Sequence, residues 1–79
     1  MQKIKNCHTI GQNLRKLRKT HNLTQDDLVT RLNLLDISIL RSRYARYETG
    51  ELNIPPQLLV ALHQIYNCPY EIFFENIEL

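Results

Sequence analysis

The chain has 79 residues, 43% of them apolar and 23% charged, with a formal net charge of +2. That length bounds one small domain whose core is only just large enough to hold it, and the apolar content sets it apart from disordered chains. No run approaches the ~18 apolar residues of a membrane span and no signal-peptide pattern opens the chain, so it reads as cytoplasmic.

Charge is segregated along the sequence. Lys3, Lys5, Arg15, Lys16, Arg18 and Lys19 precede Gln25 with no acid among them, whereas only Glu71, Glu75 and Glu78 carry charge after Leu52. A basic front and an acidic rear suit a polyanionic partner better than the net figure implies. Cys7 and Cys68 are too few and too far apart for a disulfide framework, and Cys7-His8 lacks the second ligand pair of a structural zinc site. Both read as reduced thiols, with no metal and no cofactor expected.

Residues 1–8 are polar, basic and aperiodic and read as a flexible arm preceding a single domain over residues 9–79. Thr9 reads as the N-cap of a first helix over residues 10–20, in which Ile10, Leu14 and Leu17 form the buried stripe. Arg18 falls at the edge of that stripe; Arg15, Lys16 and Lys19 point away from it. After a short connection, Thr24 and Asp27 form a capping box, and Gln25 opens a second helix with Leu28, Val29 and Leu32 as its stripe. Asn33 suits the left-handed backbone of a helix end.

The next stretch, residues 34–40, is too long for a tight turn. Leaving Leu34, Leu35, Ile37, Ile39 and Leu40 all in water is an unlikely default, since burial of each contributes about 1.5–3 kcal/mol. The pattern therefore predicts that the second helix continues about a turn past Asn33. Ile37 and Ile39 would then pack beneath the next helix, with Leu34 or Leu35 left at the surface.

The segment Arg41-Ser-Arg-Tyr-Ala-Arg-Tyr-Glu-Thr-Gly50, taken as a helix, puts Tyr44 and Tyr47 on one side. Ser42, Ala45 and Arg46 lie opposite, with Arg41 and Arg43 on the flanks. One reading is a solvated basic face. The other is a slim helix whose arginine forks match guanine O6/N7 and phosphate oxygens. Gly50 ends it. Pro55-Pro56 starts a fourth helix over residues 56–66, with Leu58, Leu59, Leu62, Ile65 and Tyr66 inward. Tyr70, Phe73, Phe74 and Ile77 then recur at the spacing of a fifth helix. The sum is an all-α chain of five helices.

These residues resemble the phage repressor and Cro-type helix-turn-helix family, also called the XRE family. The resemblance rests on Ile10-Gly-x-x-Leu-Arg-x-Leu-Arg, Leu23-Thr-Gln-x-x-Leu, Tyr44-Ala-Arg-Tyr-Glu-Thr-Gly50 and the apolar fourth helix ending in Asn67-Cys68. It implies a lambda-repressor-like five-helix bundle with the segment from Arg41 in the DNA major groove. It further implies that Arg41, Ser42 and Arg46 read bases, with Arg43 at a base or phosphate. Gln25 and Thr49 would hold phosphates, with Thr24 and Arg15 beside them, and Arg18 and Glu48 would bridge the first helix to the recognition helix.

The chain departs from the family's pattern in five places. The turn before the recognition helix is longer, as in a minority branch with an Asp-Ile-Ser-like run. Val29 stands where alanine is preferred, Asn33 where glycine is, and Leu40 where a Ser or Thr cap is common. Glu51 replaces a frequent Lys or Arg, removing one phosphate contact.

The function implied is sequence-specific binding of double-stranded DNA by a small transcriptional repressor. One such domain buries too little surface for tight specific binding, so a homodimer on a palindromic operator is expected, with Phe73, Phe74 and Ile77 as the dimer contact. The alternative is a protein-interaction module, antitoxin-like, that keeps the fold with weak DNA affinity. His8, His21 and His63 are scattered, and neither a nucleophile–base spacing nor a glycine-rich phosphate loop appears, so no enzyme and no small-molecule ligand are expected.

Overall fold

Four α-helices, α1 (Cys7–Thr20), α2 (Gln25–Leu34), α3 (Arg41–Thr49) and α4 (Pro56–Tyr66), are followed by a 3-10 turn, Tyr70–Phe74. The computed structural model describes residues 7–78, and no strand occurs among them. Four helices and a short turn thus stand where five helices were expected.

Helix ends are set by left-handed residues, and the chain holds only two glycines to supply them. Asn22, Asp36 and Asn67 adopt positive φ at 57°, 64° and 49°, and Gly50 does so at 85°. After Asn22, Asp36 and Gly50 the following N–H folds back five residues: Leu23 to the Arg18 carbonyl, Ile37 to Leu32 and Glu51 to Arg46. This pairing satisfies carbonyls that a helix end otherwise leaves bare. The expected extension of α2 by a turn is accordingly cut short. It stops at Leu34, one residue past Asn33, because Asp36 rather than Asn33 takes the left-handed position. Ile37, swung back by its bond to Leu32, packs against the core with Ile39. Asn33 remains helical, and its side-chain oxygen accepts from the Ile39 N–H at 3.3 Å, holding the turn.

The core is built from Leu14 and Leu17 of α1, Leu28 and Leu32 of α2, Tyr44 and Tyr47 of α3, and Leu58, Ala61, Leu62 and Tyr66 of α4, closed by Cys68 and Phe73. Both glycines lie where α1 meets α3. A Cβ on Gly11 would stand 2.6 Å from the Tyr47 carbonyl oxygen, and one on Gly50 would stand 2.7 Å from the His8 Cα. Thr9, expected as the cap, is helical and lies inside α1. The Cys7 thiol donates to the Leu52 carbonyl at 3.0 Å. His8 Nδ1 lies 3.3 Å from the Thr49 carbonyl oxygen, and its Nε2 lies 3.1 Å from Gln12 Nε2. One neutral tautomer, protonated on Nδ1, satisfies both contacts. Cys7 and His8 thus belong to the domain, and the rest of the predicted arm lies outside the described residues.

The 3-10 turn is docked by Asn13, whose side-chain amide donates to the carbonyls of Phe73 and Glu75 at 3.0 and 2.8 Å. Its tighter winding breaks the expected Tyr70/Phe73/Phe74/Ile77 stripe. Phe73 is fully buried within the chain, which corrects its reading as a dimer contact; Phe74 remains 43% exposed and Ile77 half-buried. His63 is a packed histidine: Nδ1 donates to the Cys68 carbonyl at 2.6 Å and the ring stacks on Tyr70.

Candidate nucleic-acid interface

α2 is started by the capping box: the Thr24 hydroxyl accepts from the Asp27 N–H, and the Asp27 carboxylate accepts from the Thr24 N–H, both at 3.0 Å. The Thr24 N–H, and after it the Thr24 hydroxyl, hold the Asp27 carboxyl below its usual range. The result is a fixed first turn on which Gln25 faces α3.

α3 is amphipathic in the sense that its sequence dictates. Tyr44, Tyr47 and Glu48 are buried, whereas Arg41, Ser42, Arg43, Arg46 and Thr49 are exposed and Ala45 is half-buried among them. The orientation is locked by an ion pair. Arg18 meets Glu48 through two parallel bonds, Nε to Oε2 at 2.7 Å and Nη2 to Oε1 at 3.1 Å, with only 8% and 6% of the two residues exposed. Arg18 Nη1 donates to the Leu23 carbonyl at 2.9 Å, and Gln25 Nε2 donates to Glu48 Oε1 at 3.2 Å. α1, the α1–α2 connection, α2 and α3 therefore converge on one ion pair. Burial by itself disfavours the Glu48 charge, but the hydrogen bonds from Arg18 and Gln25 and the approach of the Tyr44 hydroxyl outweigh it. The carboxyl is held below its ordinary range. The Arg18 guanidinium is pushed up in turn, chiefly by its bond to Glu48. The Tyr44 hydroxyl falls short of full hydrogen-bond geometry, and burial drives its pKa far up, so it stays protonated.

The exposed groups fall into two sets. Toward α1, an open groove of about 440 Å³ is lined by His8, Gln12, Arg15, Gln25, Ala45 and Thr49, among others. This brings together three of the four expected phosphate ligands, Arg15, Gln25 and Thr49. Thr24, the fourth, neighbours Gln25 in sequence and caps α2, its hydroxyl accepting from the Asp27 N–H. Arg41 leans over the start of α2, with Nε 3.7 Å from an Asp26 oxygen and Nη1 3.5 Å from Gln25 Oε1. Arg43 lies on the opposite flank, 5.9 Å above the Tyr47 ring, beside Ser38, Pro55 and Gln57. Arg46 is paired with Glu51, Nε to Oε2 at 3.2 Å.

Two contributors escaped the sequence and a third was legible only in part. His8 and Gln12 were hidden because α1 starts before its apparent cap. Glu51 was legible as an unusual acid after the recognition helix, but its bond to Arg46 needs the left-handed turn at Gly50. Among the described residues no three His, Cys, Asp or Glu side chains are grouped to hold a metal, and no helix is long and apolar enough to cross a membrane.

A helix-turn-helix domain family model matches residues 9–71, and the chain belongs to that family. It is also similar to antitoxin PezA of Streptococcus pneumoniae serotype 4. The two are 36% identical over 61 residues, covering 77% of this chain and 35% of PezA, so the chain spans about a third of that relative's length. No solved structure matches.

Proposed function

We propose that the chain binds double-stranded DNA sequence-specifically, as a repressor of the phage repressor and Cro-type branch, acting as a homodimer on a palindromic operator. One observation supports this reading above the rest: α3 exposes Arg41, Ser42, Arg46 and Thr49 around the small Ala45. Arg15 and Gln25 border the same side. A helix about 10–12 Å across fits a major groove about 12 Å wide only if its outward residues are small or extend along the base edges. In this reading Arg41, Ser42 and Arg46 reach base edges and Arg43 a base or the near backbone. Gln25, Arg15, Thr24 and Thr49 hold phosphates. The dimer forms through Phe74 and Ile77, next to an apolar groove of about 220 Å³ lined by Cys7, Ile10, Ile54, Leu59 and Phe74.

The test is a salt titration of binding to duplex DNA. Log affinity should fall with log salt by about 0.9 per phosphate neutralised; a flat dependence, or no binding at low salt, refutes the reading.

A second reading is a protein-interaction module that neutralises a partner, as an antitoxin does. It is favoured by the likeness to PezA and by the exposed Leu34 and Leu35, which flank a shallow surface with Arg31, Gln64 and Ile65. Flat salt dependence would leave this reading standing.

A further inference from the structure

Two acids lie within reach of the exposed α3 arginines, Asp26 beside Arg41 and Glu51 beside Arg46, and the fold fixes the second in place. Gly50 takes the left-handed conformation at φ 85°, and the Glu51 N–H donates to the Arg46 carbonyl at 3.0 Å. The Glu51 side chain folds back along the end of the helix. Its Oε2 accepts from Arg46 Nε at 3.2 Å, and its Oε1 lies 3.2 Å from the Thr49 hydroxyl. That hydroxyl shares its single proton with the Arg46 carbonyl, 3.1 Å away. The pair is about half exposed, at 51% and 53% of the two side chains. Among the described residues Glu51 engages only Nε of Arg46, leaving both terminal NH2 groups unclaimed.

We infer that Glu51 is a specificity-determining residue: it holds Arg46 by Nε so that the terminal fork meets guanine, and cancels the charge by which Arg46 would otherwise hold any phosphate. The inference rests on the DNA-binding reading above. Its physics lies in how two kinds of contact depend on charge. Attraction to phosphate scales with net charge and is the main sequence-independent term, so a carboxylate beside Arg46 weakens it and is itself repelled by the backbone. A bidentate bond to guanine O6/N7 depends on two aligned N–H groups, which the pair leaves intact. Restraint at Nε also lowers the side-chain entropy lost when the fork engages. Random DNA therefore loses more than a guanine-bearing site.

The experiment compares wild type, Glu51→Gln, Arg46→Ala and the double variant on two duplexes of equal length. One has random sequence, and the other is recovered by selection with wild type from a random duplex library. Because the pair is half exposed, the folded fraction should not change, and a urea midpoint checks this. Glu51→Gln should bind the random duplex about two- to five-fold more tightly, the range for an exposed charge pair. Its log–log salt slope on that duplex should steepen by about 0.9, and the ratio of selected to random affinity should fall. In the Arg46→Ala background the fall in ratio should shrink. Wild-type binding with a ratio that Glu51→Gln leaves unchanged or raises overturns the inference alone. Absence of salt-dependent wild-type binding to either duplex overturns the DNA reading and the inference with it.

Discussion

Replacing Glu48 by glutamine keeps the shape of the side chain and removes the charge at the point where α1, α2 and α3 meet. Arg18 would then hold an uncompensated guanidinium, its side chain only 10% exposed, against an amide that offers one acceptor instead of two. Removing one partner of a buried pair costs about 3–5 kcal/mol. At roughly 0.05–0.15 kcal/mol per residue, a chain of 79 residues has about 4–12 kcal/mol to lose. The melting temperature should fall by about 12 °C or more, at roughly 4–8 °C per kcal/mol for this size. Thermal and urea unfolding of wild type, Glu48→Gln, Arg18→Met and the double variant gives a coupling energy, expected to exceed about 1 kcal/mol.

The pH dependence supplies a second, independent sign for the same pair. Because the fold depresses the Glu48 pKa, its stabilisation is complete above the usual carboxylate range and is lost as pH falls through the folded value. In Arg18→Met only burial and the weaker donors remain. The Glu48 pKa should rise, and the deficit relative to wild type should shrink on acidification. A coupling near zero, or Glu48→Gln within about 0.5 kcal/mol of wild type, would refute the role given to the pair.

Three further outcomes are expected. Gly11→Ala should destabilise the fold despite alanine's better helix propensity of about 1 kcal/mol, because its Cβ would drive into the backbone of α3 at Tyr47 and Glu48; urea unfolding decides this. Ile39→Ala, half-buried against the core, should cost about 1–3 kcal/mol, whereas Leu34→Ala, at 79% exposure, should stay within about 0.5 kcal/mol. Phe74→Asp should abolish any concentration-dependent rise in mass seen by sedimentation while leaving the helical circular dichroism intact.

Much of the fold was legible because it follows from local rules. The α4 bounds follow from Pro55-Pro56 and Asn67, the start of α2 from Thr24 and Asp27, and the buried face of α3 from the spacing of Tyr44 and Tyr47. What sequence could not supply came from contacts between distant segments. Thr9 looks like a cap, yet Cys7 and His8 extend α1 because Leu52 and Thr49 offer them carbonyls. Asn33 looks like a helix end, yet Asp36 takes that place because only there does Ile37 swing back onto Leu32. The Tyr70–Ile77 stripe looks helical, yet Asn13 captures the carbonyls of Phe73 and Glu75 and holds the backbone in a tighter turn. At the candidate interface, residue types marked the arginines of α3, but the partners of Arg41 and Arg46 depend on side chains brought in from α2 and from beyond Gly50.

The exposed face of α3 is tested most directly by selecting bound sequences from a random duplex library with wild type, Arg41→Ala and Arg46→Ala. Wild type should enrich an inverted repeat with a fixed spacing between half-sites. Each substitution should relax preference at one base pair per half-site, at a cost of about 1–3 kcal/mol on the wild-type site. No enrichment by wild type, or enriched sequences that neither substitution alters, would contradict the assignment of α3 as the helix that reads DNA.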